Sequence, residues 1–113
     1  MRKDDSAYLR HVLDAICRIE EYTGDITYKG FLKNNLRQDA AIRQIEVIGE
    51  AVKKLSSELK KGHPEIPWKD VAGMRDKLIH DYFGVDLDAV WDTAEKDIPQ
   101  LKNKITAIIE TAQ

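Results

Sequence analysis

Ala41, Ile45, Ile48, Val52, Leu55 and Leu59 follow one another in alternating steps of four and three residues, the spacing that holds a single apolar stripe against a partner helix. A strand would scatter these side chains over both its faces. The run therefore predicts a helix, ending where Lys60 and Lys61 complement the negative end of the dipole and Gly62 offers a left-handed exit. Leu87, Trp91, Ala94, Ile98, Leu101, Ile105 and Ile108 repeat the same steps after Asp86, and Pro99 should kink or split that helix because it lacks an amide donor and crowds the preceding turn. Ahead of both, a helix opening near Asp5 or Ser6 carries Leu9, Val12, Leu13, Ile16 and Ile19 along one face and stops at Thr23 and Gly24. Segment 24–35 loosens into turns from which Phe31 and Leu32 are expected to dock a short helical turn onto the core. A further helix starts at Pro67, buries Trp68, Val71, Met74 and Leu78, and should fade at Gly84. The fold class expected is all-α, an up-and-down bundle of four main helices forming one domain over residues 1–113. The two long stripes also predict a homodimer, because a bundle this small leaves apolar surface to cover.

Composition narrows the function classes. The balance of 18 Lys and Arg against 20 Asp and Glu, with a net charge of −2, leaves no positive excess for coating nucleic acid, although a small specific phosphate site remains compatible with it. No stretch approaches the roughly 18 apolar residues of a membrane span, and MRKDDSAYLRH carries no apolar signal core, so a cytoplasmic protein with no membrane contact is expected. The single Cys17 excludes an internal disulfide and reads as a small packed residue rather than a nucleophile. There is no His-Glu-x-x-His, cysteine pair, calcium loop or glycine-rich phosphate loop, so no metal and no cofactor is expected. His11 and His63, among charged neighbours and in a basic turn, read as surface or capping residues.

Polar chemistry concentrates in GMRDKLIHDYFG, where Arg75, Asp76, His80 and Tyr82 fall together. If the helix runs through, Asp76 and His80 share a face, so that the carboxylate orients the imidazole. Arg75 and His80 are then about 140° apart around the axis. A shared site thus requires the helix to end or bend near His80, or a second copy to contribute. An Arg fork that grips phosphate and a His that titrates near neutrality are the parts of a metal-free phosphodiester cleavage, with RNA supplying its own 2′-hydroxyl nucleophile. The same two residues also serve as a salt bridge and a cap, and spacing does not choose between these readings.

Arg75, four residues, His80, one residue and Tyr82, within MRDKLIHDYFGVD, resemble the signature of the HepT-like toxins of the HEPN superfamily. The resemblance extends to IRQIEVIGEAVKKL, HPEIPWKDVAG and VWDTAEKDIPQLK, and so to nearly the whole chain. It implies a helical, dimeric HEPN domain acting as a metal-independent endoribonuclease, with Arg75 and His80 the catalytic pair and RNA the substrate. It further implies a toxin neutralised by a nucleotidyltransferase antitoxin that adds AMP to Tyr82, where phosphate and nucleoside would block the groove. Within the resembling second helix, Asp39, Arg43, Glu46 and Glu50 lie along one side; Arg43 and Glu46, with Asp76, become candidates for supporting the site or touching RNA, against the plainer reading of a solvated face. Two other readings stand beside the nuclease: a noncatalytic nucleotide- or RNA-binding HEPN module, and a helical interaction protein.

Overall fold

The computed structural model of the chain describes residues 1–80 and 84–112, His80 by its backbone. Helices dominate, as expected, but two of the four predicted helices are broken and a third is locally widened. Helix α1 (Lys3–Thr23) packs along α3 (Asn35–Lys53) and against α8 (Ile98–Thr111). Leu9, Val12, Ile16 and Ile19 meet Ile45, Ile48, Val52 and Ile105 in the shared core. This is the four-and-three stripe at work: each apolar position returns to the same side of its helix after every turn.

Between α1 and α3 lies α2 (Tyr28–Leu32), started by Thr27, whose hydroxyl accepts from the Gly30 N–H at 3.1 Å. It buries Phe31 completely, with the Trp91 ring 5.2 Å away between centroids, but leaves Leu32 exposed, contrary to expectation. α1 begins two residues before Asp5, which has a different use. The Asp5 carboxylate is buried and accepts from the Ser56 N–H at 2.8 Å and the Ser56 hydroxyl at 2.6 Å. Ser56 in turn caps α4 (Ser57–Gly62) by accepting from the Leu59 N–H. The predicted helix over 41–59 is therefore cut after Lys53, and its last turn is re-aimed as α4. Gly62 takes no left-handed exit; among the described residues only Gly84 has a positive φ, of 79°.

The third predicted helix is two short ones, α5 (Trp68–Ala72) and α6 (Met74–Leu78), interrupted at Gly73. It does not continue to Gly84. At Ile79 the backbone turns extended, with φ −115° and ψ 119°, and β1 (Ile79–His80) pairs antiparallel with β2 (Gly84–Val85) in the register Ile79 with Val85 and His80 with Gly84. The Leu78 carbonyl, which a continuing helix would use, accepts instead from the Asp86 N–H at 2.8 Å. Asp86 then caps α7 (Leu87–Asp92) through the Ala89 N–H. Where a kink or split is expected at Pro99, the backbone stays helical and widens just ahead of it into a π-type turn over Thr93–Asp97 leading into α8. Proline crowds the carbonyl four residues back, here Glu95, and the widened turn gives that carbonyl room. Among the described residues no helix is long and apolar enough to cross a membrane.

Candidate active site

Arg75 projects from α6 toward α3. Its Nε lies 3.5 Å from a Glu46 carboxylate oxygen and its Nη1 3.7 Å from Asp76. The three side chains share an open cleft of about 260 Å³ with Glu50, Lys53 and Gly49. The Arg75 side chain is 47% exposed, so its fork is tethered at one edge and open at the other. A guanidinium held this way presents fixed donors to a bidentate anion such as phosphate.

Gly49 accounts for the closeness of the two walls. A side chain built at this position would place its Cβ 3.0 Å from the Ala72 carbonyl oxygen, so α5 lies on α3 at a distance only glycine permits without adjustment. Sequence reasoning did not single Gly49 out. The signal was present nonetheless, as one glycine inside the helical run IEVIGEAV, where it costs about 1 kcal/mol unless packing requires it.

The predicted site residues separate into groups. Glu46, Arg75 and Asp76 come together. Arg43 does not join them; it lines a different cleft, with Tyr8 and Lys54. Asp39 is exposed and lines neither cleft. The expected shared face of Asp76 and His80 is not formed, because the helix ends at Leu78 and the four-residue periodicity ends with it. The His80 side chain and Tyr82 lie outside the described residues. Their chain positions nevertheless follow directly on the end of α6, within β1 and between the paired strands. Among the described residues no three His, Cys, Asp or Glu side chains are grouped to hold a metal ion. Cys17, expected to be packed, is exposed: it sits one position beyond the buried Ala15 and Ile16 and turns away from the core.

The HepT-like ribonuclease family model matches residues 12–108. A "Gamma-glutamylcyclotransferase and putative RNase" of Methanocaldococcus jannaschii is 52% identical over 110 residues, which is 97% of this chain and 50% of that protein. The chain thus spans half the length of this relative. A "Probable ribonuclease HepT" of Thermococcus cleftensis is 48% identical over 104 residues, covering 92% of this chain and 94% of its own. A second M. jannaschii protein, named "Putative RNase", is 45% identical over 109 residues, or 96% and 94% of the two chains. No solved structure matches. With the family model spanning α1 to α8 and two of these relatives matched over almost their full length, the chain belongs to the HepT-like ribonuclease family.

Proposed function

We propose that this chain is the toxin of a toxin–antitoxin pair, a cytoplasmic endoribonuclease that works as a homodimer without a metal ion. The observation that carries this reading is Arg75 tethered by Glu46 in an open cleft, on a helix that ends before position 80. Had α6 continued, Arg75 and His80 would point about 140° apart; its end at Leu78 removes that constraint. In the proposed reaction His80 takes the proton of the RNA 2′-hydroxyl as its oxygen attacks the adjacent phosphorus. The bond to the 5′-oxygen breaks, and the His80 of the second copy donates a proton to that leaving oxygen. The products are a 2′,3′-cyclic phosphate and a 5′-hydroxyl end. Arg75 meets the extra negative charge of the pentacoordinate transition state, the stage at which its interaction strengthens. Tyr82 is proposed as the position where a nucleotidyltransferase antitoxin adds AMP, placing a phosphate beside Arg75 and excluding RNA.

Purified chain incubated with RNA in chelator tests the chemistry. Cleavage is expected to yield cyclic-phosphate ends, to disappear with Arg75→Ala or His80→Ala, and to spare a strand carrying 2′-deoxyribose at the scissile position. Cleavage that survives both substitutions would reject the assignment, and RNA binding without cleavage would favour a binding module. Mass spectrometry of the Tyr82 peptide after coexpression with the transferase tests the modification; an unchanged mass in a neutralised toxin would reject it.

A further inference from the structure

Tyr8, His11, Arg43 and Lys54 meet in a shallow cleft of about 190 Å³ between α1 and α3, with Val47 and Ala51 at its floor. The His11 ring stands edge-on to Tyr8, with centroids 6.1 Å apart, and the Lys54 Nζ lies 6.0 Å from the Tyr8 ring centre. Arg37 pairs with Asp25, Lys53 with Glu50, Arg75 with Glu46 and Lys102 with Glu20, while most other Lys and Arg side chains have no carboxylate partner among the described residues. Among the described residues neither Arg43, Lys54 nor His11 has one. Glu50, the one acid lining this cleft, is the partner of Lys53 and also lines the Arg75 cleft, so the two clefts adjoin across α3.

Arg43, Lys54 and His11, gathered around the Tyr8 ring in a cleft next to the candidate active site, have the features that bind single-stranded RNA. Arg and Lys take the phosphates, and a base stacks on an aromatic ring. We infer that this cleft is a substrate subsite holding the RNA strand beside the scissile phosphate, with Arg43 and Lys54 on backbone phosphates and the Tyr8 and His11 pair against a base. The inference rests on the ribonuclease reading above.

Fluorescence anisotropy of a labelled single-stranded oligoribonucleotide, titrated against the otherwise inactive His80→Ala chain over a series of salt concentrations, tests it. Arg43→Ala and Lys54→Ala are each expected to weaken binding severalfold and to take about 0.7 off the slope of log affinity against log salt. Tyr8→Leu should weaken binding about tenfold with the slope unchanged, while Tyr8→Phe binds like the parent. In the active chain the same substitutions should raise KM for a long RNA, leave kcat unaltered and leave a minimal dinucleotide substrate unaffected. Unchanged affinity and slope in Arg43→Ala and Lys54→Ala, while the unsubstituted chain cleaves RNA, would overturn the subsite and leave the nuclease reading standing. Absence of cleavage by the unsubstituted chain strikes the nuclease reading, and the binding comparison still decides the subsite. No RNA binding at all overturns both. Loss of self-association with RNA affinity intact would assign this face to protein contact and overturn the subsite.

Discussion

Arg75 lies between two carboxylates, and ion pairs this exposed contribute little net stability. What Glu46 supplies is direction: Nε turns to Glu46 and Nη1 lies near Asp76, while Nη2 has no carboxylate partner among the described residues. Glu46→Ala is therefore expected to leave the melting temperature nearly unchanged and to lower kcat on RNA by roughly tenfold through misplacement of the guanidinium. Glu46→Gln, which keeps an acceptor oxygen, should lose less; initial rates on one RNA compare the two. At the far end of α3, the Asp25 carboxyl is held below its ordinary value of 3.8 chiefly by the hydrogen bond it accepts from Arg37. Because the folded carboxyl is the more acidic, its contribution is complete above the unfolded value and is lost as the pH falls through the lowered one. Asp25→Asn should thus melt slightly below the parent at neutral pH. Thermal scans should show the two curves converging as the pH drops below 3.8.

At the level of elements, the breaks in the helices matter more than the helices. Asp5 makes two hydrogen bonds to Ser56 across 51 residues of chain, tying the first turn of α1 to the cap of α4. Asp5→Ala would leave the part-buried Ser56 amide without this partner, and a loss of about 1 kcal/mol is expected in urea denaturation. Gly49→Val tests the contact between α3 and α5. Its branched side chain would press on the Ala72 carbonyl, and overpacking of this kind costs about 1–3 kcal/mol. Because α6 follows α5 directly, the same substitution should also shift Arg75 and reduce RNA cleavage beyond what the stability loss explains, measured at a temperature where both proteins are folded.

The molecule extends 42 × 30 × 20 Å, so along its thinnest direction it is about two helix diameters deep. A slab this thin buries α1 and α8 mainly on one side, in agreement with their single stripes, whereas α3, packed against α1, α5 and α6, is buried over a wider face. Light scattering should give a mass of two 12.9 kDa chains; a monomer that still cleaves RNA would reject the two-histidine mechanism. The helical content and the core positions of the long stripes were legible in the sequence, because both depend on residues within a few turns of one another. The cut after Lys53, the end of α6 at Leu78, the approach of Ala72 to Gly49 and the separation of Arg43 from Arg75 were not. Those were decided by the tertiary structure, since the groups responsible lie far apart in the chain or on different elements. Asp5 competes for the Ser56 amide, Asp86 takes the Leu78 carbonyl, and a carbonyl on α5 fills the space beside Gly49. Periodicity is a local property of a sequence, whereas a hydrogen-bond partner supplied from another element exists only once the chain has closed on itself.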